Sequence, residues 1–176
     1  MGRSRYRVIN DRPHFITCST VNWLMLFSQP AVADIIFSSL RFLQAEQRLT
    51  LHAYVLMENH LHMIAAADNL SREMQSFKSF TAKRIIQCLE ETHRAGWLDE
   101  LRSHKKPHKT ESTYHVWQEG FHPMLIQDDR MQRHVLNYIH HNPLKRGYVE
   151  EACHWKYSSA RNYAGRAGML EVELLI

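Results

Sequence analysis

The chain has 176 residues, 44% of them hydrophobic and 23% charged, which suits one domain with its own apolar core and leaves too little chain for two full domains. Its apolar runs fall short of the roughly 18 residues that a bilayer span requires, and its composition is that of a globular rather than a disordered chain. Twenty-two Lys and Arg against eighteen Asp and Glu give a formal charge of +4, compatible with an anionic partner without specifying one.

Cys18, Cys88 and Cys153 are odd in number and lack CxxC spacing, the pattern of reduced thiols. The first residues carry no apolar signal core, and Tyr6 stands where a myristoylation pattern requires Ser or Thr. The expectation is a soluble cytoplasmic protein with no membrane partner.

In chain order, residues 1–13 read as a basic N-terminal arm carrying Arg3, Arg5, Arg7 and Arg12. His14 to Val21, rich in Thr, Ile, Phe and Val, reads as a strand. Ser28 and Pro30 offer a helix start, and Val32, Ile35, Ile36, Leu40 and Leu43 recur at helical spacing, so a helix is predicted over about 30–47. Leu51–Met57 and His60–Ala67 are apolar runs separated by Glu58-Asn59, which predicts an antiparallel hairpin.

Met74, Phe77, Ile85 and Leu89 predict a second helix from Ser71 to near Gly96. Residues 97–113, with Arg102, Lys105, Lys106 and Lys109, read as a polar basic loop. Tyr114–Trp117 and Phe121–Ile126 read as short strands. Asp128 or Asp129 caps a third helix with Met131, Val135 and Ile139 on its core side, closed by Pro143 and Gly147. In the tail, 148–176, Trp155, Tyr157 and Tyr163 should pack back on the core. This order predicts an α+β domain of ferredoxin-like (RRM-like) type: an antiparallel sheet with helices on one face, the other face free for a site, and a C-terminal helix bearing a tyrosine.

Side chains alternate along a strand, so in His60-Leu61-His62 both imidazoles point one way while Leu61 and Met63 point the other. The pair is either a metal half-site or two hydrogen-bonded sheet histidines. On the last helix, Tyr138 and Asn142 are four apart and share a face if the helix persists, against the bias of Pro143 on its preceding residue. His134 and His141 lie nearby in sequence.

MENHLHMI after the strand LHAYVL, and YIHHNPLKRGYV before WKYSS, resemble in order and spacing the single-tyrosine HUH transposases, above all the REP-associated tyrosine transposases, over about residues 14–163. The resemblance implies a DNA-nicking and strand-joining enzyme. By motif position, Tyr138 matches the nucleophile, His60 and His62 match the paired histidines, and Asn142 matches the polar residue that completes a Mg²⁺ or Mn²⁺ site. Glu58 stands where proline commonly precedes Asn-His, and Leu144 where valine is frequent; the first change alters the turn or adds a carboxylate near the metal.

The implied partner is single-stranded or hairpin DNA of REP type, and both a monomer and a homodimer fit the resemblance. Arg3, Arg5, Arg7, Arg12, Lys105, Lys106, Lys109, Lys145 and Arg146 are the candidates for neutralising its backbone, and Trp117, Trp155, Tyr157 or Tyr163 for stacking its bases, the alternative for each being a solvated face or a core plug. Two other readings remain open: a hairpin-binding regulator of the same fold without catalysis, and a metal hydrolase using water as nucleophile.

Overall fold

The computed structural model describes residues 8–103 and 113–175. Its elements are β1 (His14–Ser19), α1 (Pro30–Ala45), β2 (Thr50–Leu56), β3 (His60–Ala66), α2 (Leu70–Glu91), α3 (Ala95–Ser103), β4 (Met124–Leu125), α4 (Asp129–Lys145) and a last turn of helix, α5 (Ala160–Tyr163). The four strands form one antiparallel sheet in the order β2-β3-β1-β4. This is the expected α+β, ferredoxin-like arrangement.

The pleat sorts the core into two layers. Leu61, Met63 and Ala65 of β3, with Ile16 and Cys18 of β1 and Tyr54 and Leu56 of β2, face α1 and α2. Ile64, with Ala53 and Val55 of β2, faces Val135 and Ile139 of α4. A register shift between Leu51 and Ala53 bulges β2 at His52 and lets Leu51 share a layer with Tyr54. The second face was expected to be free for a site; instead α4 lies on it and leaves a cavity at one end, because Val135 and Ile139 offer a helical apolar stripe that has nowhere else to be buried.

Each main helix starts and stops for local reasons. Asp128 Oδ1 accepts from Met131 N at 2.8 Å, and Asn69 Oδ1 from Arg72 N at 3.1 Å, capping α4 and α2. At α1, Gln29 rather than Ser28 is the cap residue, followed by Pro30 in the first turn. At the far end of α4, Tyr148 N donates to Pro143 O at 3.0 Å and Gly147 N to Leu144 O at 2.9 Å, with Gly147 at φ +72°. That Schellman closure places the helix end beyond Pro143, so Asn142 is helical after all.

Residues 97–103, expected within a loop, lie in α3, where Leu101 is buried and Trp97 and Leu98 pack against the core. Three apolar residues sufficed to dock a nine-residue helix that its charges concealed. Helix α2 accordingly ends at Glu91, before Gly96. Tyr114–Trp117 makes only a bridge from Trp117 to Thr20, and the Phe121–Ile126 strand shortens to β4. Arg3, Arg5, Arg7, Lys105, Lys106 and Lys109 lie outside the described residues. Among the described residues no helix is long and apolar enough to cross a membrane.

The tail closes the exposed edge of β2. Leu56 N donates to Tyr157 O, Ser159 N to Tyr54 O and Glu173 N to Leu51 O, at 2.9, 3.0 and 2.9 Å, so backbone groups that would template another strand are occupied. The buried Tyr54 hydroxyl accepts from Leu170 N at 3.1 Å. Replacing Tyr54 with Phe strands that amide, and urea unfolding is expected to show a loss of about 1–3 kcal/mol. Burial pushes the Cys18 thiol up to about 11, a nearby lysine, Lys78, opposing. Alkylation of the native protein near pH 8, read by peptide mass, is therefore expected at the partly exposed Cys88 and Cys153 well before Cys18.

Candidate functional site

The residues singled out by motif meet at one end of the α4-covered face. Strand β3 supplies His60 and His62, β1 supplies Thr17, and α4 supplies Tyr138, Asn142 and Lys145. With Arg146 just past the helix and Trp23 from the loop after β1, they line a cavity of about 340 Å³. Docking of Val135 and Ile139 on the sheet sets the rotation of α4, and Tyr138 and Asn142, three residues on from each, fall on its flank toward the imidazoles.

Both histidines are oriented by their Nδ1 atoms. His60 Nδ1 lies 2.7 Å from Asn59 Oδ1. That oxygen can only accept, so Nδ1 carries the proton and Nε2 keeps its lone pair. The same amide donates from Nδ2 to Trp23 O at 3.2 Å, which fixes which way it points. His62 Nδ1 lies 2.8 Å from Thr17 Oγ1, and the two rings stand 4.6 Å apart. Burial, with the Arg146 charge adding and Glu58 opposing, pushes His60 down to about 4; burial and the neighbouring His60 push His62 down to about 3. At neutral pH both imidazoles are uncharged, the form that ligates metals.

The Tyr138 hydroxyl lies 3.3 Å from His62 Nε2, and the residue is 38% exposed. Phe15 supports it edge-on at 5.9 Å, and Lys145 Nζ sits 5.3 Å from its ring centroid. Tyrosine and imidazole pair thus come from one chain. Asn142 is buried in the same wall. His60, His62 and the Asn142 amide oxygen are the groups here that could hold a divalent cation.

Other expectations resolve differently. Glu58 does not line the cavity; its Oε1 pairs with Arg146 Nη1 at 2.6 Å, tying the β2–β3 turn to the end of α4. Neither His134 nor His141 lines the cavity, and His141 Nδ1 donates to Asn137 O at 2.9 Å. Arg12 lies at the opposite end of β1 from Thr17. Trp117 and Tyr157 are core plugs, the first donating to Thr81 Oγ1 at 3.1 Å and the second packed on Phe37 at 5.3 Å. Half-buried Trp155 donates to Leu56 O, and half-buried Tyr163 to His52 O.

Three residues at the site went unassigned in the sequence reading: Thr17, Asn59 and Trp23. Asn59 sits inside the quoted motif, and its position beside His60 was the available signal. Asn22 and Trp23 both adopt left-handed backbone, φ +48° and +54°, which costs non-glycine residues about 1–3 kcal/mol each and leaves no periodic signature in a sequence. Away from the cavity, Glu151, Cys153 and His154 also stand close enough to share an ion, but on an exposed turn where Arg166 Nη1 lies 3.6 Å from the Cys153 sulfur.

The whole chain superposes on a solved structure described as the REP-associated tyrosine transposase bound to a REP hairpin, covering 94% of that chain at a TM-score of 0.62 and 20% identity. A curated protein of Haemophilus influenzae, "Putative REP-associated tyrosine transposase", is 48% identical over 44 residues, a quarter of this chain and a quarter of its own length. The chain is similar to REP-associated tyrosine transposases. No protein-family model matches it. The likeness to these transposases extends in fold over the full chain and in sequence over the shorter segment.

Asn59→Ala removes both the acceptor on His60 and the donor to Trp23 O. Nitrogen-detected NMR of the imidazole is expected to show His60 Nδ1 losing its fixed proton, and thermal or urea unfolding a loss of about 1–3 kcal/mol.

Proposed function

We propose that the protein is a metal-dependent transposase, a single-strand DNA endonuclease that nicks and rejoins DNA at hairpin sites of REP type through a 5′-phosphotyrosine intermediate. The observation that carries this reading is the Tyr138 hydroxyl 3.3 Å from His62 Nε2 in a cavity shared with His60 and Asn142. The fold likeness to a hairpin-bound transposase supports it.

The donor set fits a divalent ion. Two neutral imidazoles have their Nδ1 atoms engaged and share one strand face, and Asn142, whose amide offers an oxygen, lines the same cavity, a mixed N,N,O set that suits Mg²⁺ or Mn²⁺ better than a closed structural zinc site. When bound by His60, His62 and Asn142, such an ion supplies Lewis-acid charge to the scissile phosphate.

The chain's own groups do the rest. Tyr138 Oη forms a bond to phosphorus as the bond from phosphorus to the 3′ oxygen breaks; the phenolic proton passes to solvent, and the leaving oxygen takes one up as a 3′-hydroxyl. The phosphotyrosine conserves the energy of the broken ester, so a later 3′-hydroxyl can reverse the step without a nucleotide cofactor. Lys145, over the Tyr138 ring, and Arg146 bring positive charge to where a phosphate must sit. Tyrosine and imidazoles belong to one chain, so the reading requires no second copy to complete the site.

Labelled single-stranded hairpin DNA incubated with the protein and Mg²⁺ or Mn²⁺ is expected to give a denaturation-resistant adduct on the Tyr138 peptide. Tyr138→Phe is expected to abolish adduct and cleavage while keeping hairpin affinity within a few-fold, and chelation to abolish both products in the wild type. Hairpin binding with no adduct under any divalent ion would favour the regulator instead, and turnover surviving Tyr138→Phe the water-using hydrolase.

A further inference from the structure

Trp23 is 55% exposed and belongs to neither apolar core. Its neighbours show how the loop is built. Val21 and Leu24 pack inward against the main core. Thr20 Oγ1 donates within the loop to Leu24 O at 2.7 Å, and Val21 N to Val116 O at 2.8 Å. Asn59 Nδ2 holds the Trp23 carbonyl. The loop is anchored on both sides of a residue whose own side chain is turned out.

What the indole meets there is the cavity itself. It lines that cavity nearly perpendicular to the His60 ring, with centroids 6.1 Å apart, and more than half of the residue stays exposed. A large flat apolar surface held in strained left-handed backbone beside an imidazole pair is costly to expose, and burial in neither apolar core repays the strain. Among the described aromatic residues lining this cavity, Tyr138 is the attacking group on the reading above, which leaves the indole for recognition.

We propose that Trp23 is a stacking platform for an unpaired base next to the phosphate attacked by Tyr138. The inference rests on the function proposed above. A phosphate placed between the Tyr138 hydroxyl and the imidazoles brings its adjoining nucleotide to the cavity rim, and an indole accepts any base on its face without reading its hydrogen-bonding edge. Trp23 would then contribute affinity and keep the strand extended across the site, leaving sequence discrimination to other contacts. Duplex DNA, whose bases are already stacked, would gain nothing from it. The site thereby favours single strands for a reason separate from charge.

The test combines wild type, Trp23→Ala and Trp23→Phe with hairpin substrates carrying one abasic nucleotide at each position flanking the cleaved phosphate. Trp23→Ala is expected to weaken binding of intact single-stranded substrate by about tenfold, within the range for a lost base–aromatic stack, with Phe recovering most of it. For wild type, one abasic position should reproduce that loss, and on that substrate Trp23→Ala should add nothing further. Equal losses for Trp23→Ala on intact and abasic substrates, or abasic positions without effect in the wild type, would overturn the stacking role while adduct formation by the wild type leaves the transposase reading standing. Absence of any adduct in the wild type would sink that reading first.

Discussion

The period-two pleat of β3 is the constraint on which the site depends. Leu61, Met63 and Ala65 must face α1 and α2 to complete the larger core, and this commits His60, His62 and Ile64 to the opposite face. Slipping the strand by one residue would drive two imidazoles into the larger apolar layer and take Leu61, Met63 and Ala65 out of it. The register is therefore held by hydrophobic burial on both sides of the sheet, and the imidazole pair inherits a position that its own hydrogen bonds need only refine.

Helix α4 answers that constraint from the other side. Val135 and Ile139 bury on Ile64 and Val55, and the helical repeat then leaves no choice about where Tyr138 and Asn142 lie. The persistence of α4 through Pro143 matters here, because a helix broken at Asn142 would release the amide from the tyrosine's face. The closure at Gly147 and the Glu58–Arg146 ion pair hold that last turn against the β2–β3 connection. Glu58 thus fastens the turn to the helix.

Much of this was legible in the sequence, for identifiable reasons. The alternation in His60-Leu61-His62 and the four-residue spacing from Tyr138 to Asn142 state their own geometry once the element type is known, and β1, α1, the hairpin and α4 all have clear periodicity. The bulge at His52 was invisible because a one-residue shift in β2 shows only when its partner strand is known. Helix α3 was hidden by charge, since Trp97, Leu98 and Leu101 are a thin stripe that means nothing without the core they dock on. Trp23 was missed because its position depends on two left-handed residues and a carbonyl clamp, none of which has a pattern in composition or spacing.

The electrostatics of the cavity divide the work between its parts. Burial strips charge from His60 and His62, which keeps their lone pairs available and leaves the cavity without two imidazolium charges. Positive charge is carried instead by Lys145 and Arg146 at the wall, where long flexible side chains can follow a phosphate. Arg146 does so with Glu58 already on one side of its guanidinium, so its field toward the cavity is tempered, while Lys145 sits over the Tyr138 ring. On the function proposed above, a phosphodiester entering this cavity would meet a cation beside the hydroxyl proposed to attack it. On that same proposal, the placement would serve the bond-forming step as well as retention of DNA.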